Sequence, residues 1–345
     1  MTGRLRTRAF FSFFIIIVLS AAATQARTWR VPSECESIRA GLDSAAAGDT
    51  VLVAPGTYLT ENSLLRLGPG ECLISEAGPE ATVIEFCGVS AGIVLDSCEG
   101  ARVSGFSVRF GSGPDCWLPP SPTAGIVCSA CTDVIIENCI IEHVSHGVEV
   151  WFTPSDWNKP VIRNNVIRNC TYGIRCYDLI DPGRPLIQGN DISECTRGGY
   201  FQDSSPVLDA NRITNCSEWG LYFSGNCTGN CTRNVIAYNA GGVYVYADPP
   251  LATPWFNGSW EDALANDFYD NGGFDISYNH GAGISGLMAI YNYWGSRCPD
   301  FEHKLHGDIT YSPWMDSTHT ARIYTVDCPG ATEPSTWGSI KAMFR

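Results

Sequence analysis

Pro160-Val-Ile-Arg-Asn-Asn-Val-Ile167, Pro185-Leu-Ile-Gln-Gly-Asn-Asp-Ile192 and Pro206-Val-Leu-Asp-Ala-Asn-Arg-Ile213 are one phrase written three times. Self-similarity at a period in the twenties is the mark of a solenoid, in which each repeat is too small to bury its own apolar face and buries it against its neighbours. Working outward from these lines, a glycine followed by alternating apolar residues recurs as Gly92-Ile-Val-Leu95, Gly125-Ile-Val-Cys128, Gly147-Val-Glu-Val150, Gly173-Ile-Arg-Cys176, Gly220-Leu-Tyr-Phe223 and Gly242-Val-Tyr-Val245. Each reads as a short strand with one buried face. Asn-x-apolar follows in each coil at Asn138, Asn165, Asn190, Asn211, Asn234, Asn266 and Asn292, with Gly105 in that place earlier; five residues after the Asn come Cys170, Cys195, Cys216, Asn239 and Asn271. Three short strands per coil of roughly 21 to 33 residues are expected, stacked about 4.8 Å apart, with the asparagines bonded along the stack.

The predicted fold is therefore all-β, a single-stranded right-handed parallel β-helix with a short N-terminal capping α-helix. Leucine-rich repeats have similar periods, but their Leu-x-x-Leu-x-Leu phrase is missing. Ser33-Glu-Cys-Glu36 has capping-box spacing, and Ile38, Leu42 and Ala45 or Ala46 share one helical face that ends near Gly48, which predicts the cap. Asp49 to Tyr58 then opens the first coil.

The opening residues 37–58, Ser-Ile-Arg-Ala-Gly-Leu-Asp-Ser-Ala…Gly-Asp-Thr-Val-Leu-Val-Ala-Pro-Gly-Thr-Tyr, resemble those of secreted bacterial right-handed parallel β-helix repeat proteins of the pectin-lyase-like fold. Asn292-Tyr-Trp-Gly295 with Ile309-Thr-Tyr-Ser-Pro-Trp314 is similar to the closing coil of that group. With the middle repeats, the resemblance covers residues 29–316. It implies a fold and not an activity, because this architecture hosts lyases, hydrolases, epimerases and adhesins. The Trp-Ile-Asp-His and Arg-x-Pro-x-x-Arg phrases of pectate lyases, the polygalacturonase set and the Asp-Pro-His of alginate epimerases are absent.

Arg4, Arg6 and Arg8 precede an apolar run from Ala9 to Leu19 and small residues beyond, so residues 1–26 read as a secretory signal peptide cleaved after Ala26. Residues 27–316 are the expected β-helix domain and 317–345 a C-terminal extension or tail. No later stretch is apolar enough to span a bilayer, and a secreted or cell-surface location, as a monomer, is expected. The chain of 345 residues carries 36 acidic and 22 basic residues, net −14, and three of the basic ones lie in the leader. Nucleic acid wants a basic face and is excluded as a partner. All 16 cysteines lie beyond the leader; their recurrence at fixed repeat positions fits a buried stack as well as bridges, and Cys128-x-x-Cys131 has no second pair to complete a zinc site.

In the Gly-led strands, the residues between buried ones face solvent. They are Glu149 and Trp151, Arg175 and Tyr177, Tyr200 and Gln202, Tyr222 and Ser224, Tyr244 and Tyr246, which stack into an aromatic stripe suited to the apolar faces of sugars. Carbohydrate binding, or a scaffold role, is the leading expectation, with Asp203 added to the binding set; the opposing view is that these rings only brace the strands. Asp156-Trp-Asn-Lys159 and Asp181-Pro-Gly-Arg184 each precede the proline of a coil, so two acid-x-x-base loops should lie side by side near Asp178 and Asp203. The pectin-lyase-like resemblance makes these a candidate lyase centre on a uronate polymer: Lys159 or Arg184 as base, with Asp178 beside them. A surface ion-pair ladder is the plainer and preferred reading of the same loops. Calcium is the one candidate cofactor, on Asp178, Asp203 and turn carbonyls. His143 and His146 are expected in a turn before Gly147.

Overall fold

A computed structural model describes residues 25–111, 116, 123–151, 159–179, 184–247, 253–259, 264–280 and 286–328. Residues 1–24 of the proposed signal peptide and the end of the tail lie outside the described residues. From Thr50 to Ala247 the coils step through the three strands expected of them, and like strands pair in parallel; beyond that the Pro-led sheet continues only as a bridge between Asn230 and Trp255. The Pro-led sheet has nine strands from Thr28–Val31 to Asn230–Thr232, the post-Asn sheet nine from Gly56–Glu61 to Asp267–Tyr269, and the Gly-led sheet ten from Leu65–Leu67 to Leu305–His306.

Register is set by what each strand sends inward. In the post-Asn sheet one column of apolar residues does so throughout, Ile84, Val108, Ile141, Ile167, Ile192, Ile213, Ile236, Phe268. All are buried, so a one-residue slip of any strand would turn its apolar side chain to water. The Gly-led sheet contributes two such columns. Where one loses its side chain at Gly199, Phe201 of the same strand swings over to fill the space, 2.7 Å from where a Cβ would stand. The leading glycine of these strands is required by close approach: a Cβ on Gly173 would stand 2.5 Å from the carbonyl oxygen of Gly198 and 2.6 Å from Ile192 Cγ2.

The bend from the Pro-led to the post-Asn sheet is made by one left-handed residue, such as Asn164 (φ 55°), Gly189 (φ 63°) or Arg233 (φ 56°). The next residue is the ladder asparagine. Asn190 donates its backbone N–H and its Nδ2 to Asn211 Oδ1, both at 3.0 Å, and its Nδ2 also reaches Ile162 O at 2.9 Å. The same pattern runs from Asn165 to Asn292 across spacings of 21 to 32 residues. It satisfies buried backbone groups that the bend takes out of the sheets. Asn138 departs from expectation. Pairing aligns Ile141 with Ile167, which puts Cys139 in the ladder position and Asn138 at the left-handed bend with φ 54°. Cys139 N–H accordingly starts the ladder by donating to Asn165 Oδ1. Gly105 (φ 83°) likewise holds the bend, one place before the ladder. A shorter ladder joins Asn239 to Asn271 one corner later.

The capping helix is Ile38–Ser44, shorter than expected, and its N-cap is Ser37, whose hydroxyl accepts from Ala40 N–H. Ser33 is not the cap. Ile38, Gly41 and Leu42 turn inward over the first coil. A strand the sequence did not announce, Thr28–Val31, precedes this helix and pairs with Thr50–Val53. At the far end Trp294 and Trp314 are both buried; Trp294 stacks on Phe268 at 4.8 Å, and Phe301 packs between Tyr311 and Trp314. Past Asp316, Arg322–Ile323 pairs antiparallel with Trp314–Met315, and Cys328 is bonded to Cys298. A second disulfide joins Cys87 to Cys116. The other cysteines are thiols, and Cys170, Cys195 and Cys216 are buried at one repeat position as expected of a stack.

Candidate functional site

The outer face of the Gly-led sheet carries three parallel columns of side chains. Pairing places Glu149, Arg175, Tyr200, Tyr222 and Tyr244 in one, and Trp151, Tyr177, Gln202, Ser224 and Tyr246 in the next, in the order expected from alternation. A third column, His146, Tyr172, Arg197 and Trp219, lies one step earlier in each strand. The sequence reading missed it because it began each strand at the glycine. His146 opens a strand rather than sitting in the expected turn, and its side chain is buried.

The rings touch in an unbroken series: His146 to Tyr172 at 5.4 Å, Tyr172 to Tyr200 at 5.1 Å, Tyr200 to Tyr222 at 5.4 Å and Tyr222 to Tyr244 at 4.8 Å, with Trp219 on Tyr244 at 5.1 Å. Trp151 lies parallel to Tyr177 at 6.4 Å. Two arginines thread this series. Arg197 lies 4.2 Å from the Tyr222 ring centre and 5.5 Å from that of Tyr200, and is held by Glu218 at 2.7 Å. Arg175 lies 4.9 Å from the Tyr177 ring centre and 3.1 Å from Glu149. His146 Nδ1 is 3.2 Å from Glu149 Oε1, within ion-pair reach but without the alignment of a hydrogen bond. Burial raises the hydroxyl pKa of Tyr177 and of Tyr222, so both stay protonated donors at neutral pH.

Ring orientation corrects one expectation. Tyr200, Tyr222 and Tyr244 are stacked with interplanar angles of 19° and 22°, so their faces cover one another and what points outward is ring edge and hydroxyl. A sugar cannot lie flat on the middle of this ladder. The face instead presents a row of polar tips at coil spacing. Tyr200 donates to Gln202 Oε1 at 3.2 Å, and Tyr244 accepts from Asn279 Nδ2 at 3.0 Å. Tyr246 is 43% exposed, three coils beyond Tyr177, with Gln202 and Ser224 between them.

Asp178 and Asp203 align in neighbouring coils, both left-handed (φ 56° and 45°). Asp203 accepts from Asn226 N–H at 2.9 Å and so braces the next turn; Asp178 is exposed. Lys159 and Arg184 hold equivalent coil positions just before Pro160 and Pro185, and both are exposed. In coil register they fall with Ser205, three positions past the column of Gln202, so they flank the aromatic face and are not within it. Their partner acids Asp156 and Asp181 lie outside the described residues. Among the described residues, no group of three or more His, Cys, Asp or Glu is placed to hold a metal ion. No helix among them is long and apolar enough to cross a membrane.

Residues 91–252 match the family model for the right handed beta helix region. No curated protein sequence matches the chain. Among solved structures it is similar to the pectate lyase Pel9A, at 13% identity and TM-score 0.54 over 92% of this chain and 84% of that one. It is also similar to the enzymatically active domain of tailspike protein 2 of bacteriophage CBA120, at 10% identity and TM-score 0.51 over 81% and 44% of the two chains. The A-module of the Azotobacter vinelandii mannuronan C-5 epimerase AlgE6 aligns over 80% and 94%, at 13% identity and TM-score 0.49. The chain is a right-handed parallel β-helix, a fold it shares with carbohydrate-active enzymes.

Proposed function

We propose that this chain is an exported, surface-associated β-helix protein that binds an extended glycan along the outer face of its Gly-led sheet. The observation that carries this reading is the continuous series from His146 to Tyr244, braced by Arg175 and Arg197. Stacking immobilises the tyrosines, so their hydroxyls meet a ligand with little loss of side-chain entropy. Arg175 and Arg197 are each matched by a glutamate, which favours a ligand with little net charge. The Arg-rich, apolar leader and the two disulfides support export. A purified chain applied to an array of linear polysaccharides should be retained by at least one of them, and Arg197→Ala should weaken that retention; a wild-type chain retained by none would overturn the reading.

A second reading is favoured by one observation, the equivalent coil positions of Lys159 and Arg184 at the flank of this face. There the exposed bases would take the proton beside a uronate carboxylate, with Asp178 alongside and calcium or the second base neutralising the carboxylate. Incubation with uronate polymers, with and without calcium, should then release unsaturated products in the wild type and none in a Lys159→Ala/Arg184→Ala chain.

A further inference from the structure

Cys98 and Cys131 occupy the same position in neighbouring coils. Each follows a left-handed residue that ends a Gly-led strand, Ser97 and Ala130, both with φ 51°. Thr132 N–H donates to Cys98 O at 3.0 Å, and Glu99 pairs with Thr132. Both thiols point into the solenoid, at 3% and 0% exposure, and their sulfurs are 3.1 Å apart. Equivalent residues on adjacent parallel strands sit about 4.8 Å apart, inside the Cα separations of roughly 4.4–6.8 Å that a disulfide spans. Little more than a side-chain rotation separates this pair from a covalent bond.

We propose that Cys98 and Cys131 form a third disulfide, a staple between two coils closed by a disulfide donor of the oxidising compartment. The Cys131 thiolate attacks one sulfur of the donor, oxidised glutathione for instance, and releases one donor thiolate. The Cys98 thiolate then attacks Cys131 Sγ in the mixed disulfide and expels the second. Two protein thiols lose two protons and two electrons, and the donor disulfide becomes two thiols. Because both sulfurs are sealed in the core, the exchange belongs to folding, before the coils close, and the finished bond is shielded from reductants. The staple is independent of the glycan reading.

The test is a peptide map of the full chain refolded in a glutathione redox buffer and alkylated under denaturing conditions without further reductant. Chymotrypsin separates Cys87 from Cys98 at Leu95, and Cys116 from Cys131 at Trp117, so the known bridge between Cys87 and Cys116 does not mask the new one. The expected result is a Cys98–Cys131 cross-linked pair in the wild type and in Cys128→Ala, and alkylation of Cys98 going from absent to complete in Cys131→Ala. If Cys98 and Cys131 both alkylate fully while the other two bridges form, or if Cys131 is found joined to Cys128, the proposal is overturned. The wild-type map decides the matter even if a variant fails to fold.

Discussion

Tyr222 and Tyr244 stand one coil apart with ring centres 4.8 Å from each other and planes 22° from parallel, so each consumes a face of the other. The outer face of the Gly-led sheet is therefore not a row of open aromatic platforms. It is a ladder whose rungs fix one another and whose polar tips point outward. Tyr222→Phe should leave stability unchanged while removing one tip, whereas Tyr222→Ala breaks two ring contacts and should cost about 1–3 kcal/mol in urea unfolding.

The asparagine ladder sets a second expectation. Asn211 Oδ1 accepts two hydrogen bonds from Asn190, and Asn211 Nδ2 donates to Ile187 O and Asn234 Oδ1. In Asn211→Leu the size is kept but the buried N–H and Nδ2 of Asn190 lose their acceptor. A loss of about 3 kcal/mol or more is expected, at roughly 1–3 kcal/mol for each buried group left unpaired. Equilibrium denaturation of the two chains measures it.

Close approach at the glycine column makes a third. Gly173→Ala would press a methyl against the Gly198 carbonyl and Ile192, and neither the backbone of the next coil nor the core isoleucine can give way cheaply. A destabilisation of about 1–3 kcal/mol is expected, as for other overpacked cores. Gly48→Ala is the contrast: nothing lies within 4 Å of its added Cβ, and only the strain of φ 92° opposes it.

Acid should loosen the solenoid at the Pro-led sheet. Glu137 is buried between Arg102 and Arg163; burial pushes its carboxyl up, but hydrogen bonds and charge from Arg163 and Arg102 outweigh that and leave it below its ordinary 4.5. Its folded pKa is thus lower than its unfolded one. The stabilisation it supplies is fully present above about pH 5 and disappears as pH falls through the folded value. Asp209, on which burial is likewise outweighed by Arg233, Gln188 and Thr232, acts in the same direction. Thermal unfolding of the wild type should weaken steeply between about pH 5 and pH 2, and Glu137→Gln should be less stable at neutral pH with a flatter profile.

The repeat, its three strands and the ladder were readable in the sequence because the same side chains return at the same depth in successive coils. Asn138 was misread because Cys139 holds the buried slot in that coil, and only pairing to Ile167 reveals the shift. The columns through Tyr200 and Tyr177 followed from alternation alone, but the His146 column stood before the glycine used to anchor each strand. Ring orientation was beyond reach: alternation says which way a tyrosine leaves the strand, not how it turns about its side-chain bonds. The true N-cap, Ser37, lay four residues past the capping-box match at Ser33. No spacing rule chooses between two serines when the helix is only two turns long.

The most direct test of the central claim is calorimetric titration of the retained polysaccharide into three chains: wild type, Tyr222→Phe/Arg197→Ala, and Arg212→Ala, whose exposed side chain lies on the post-Asn sheet. The account predicts binding about tenfold or more weaker for the double variant, at least about 1.4 kcal/mol, and unchanged affinity for Arg212→Ala. Equal affinity in all three would mean that the glycan does not touch the tyrosine ladder.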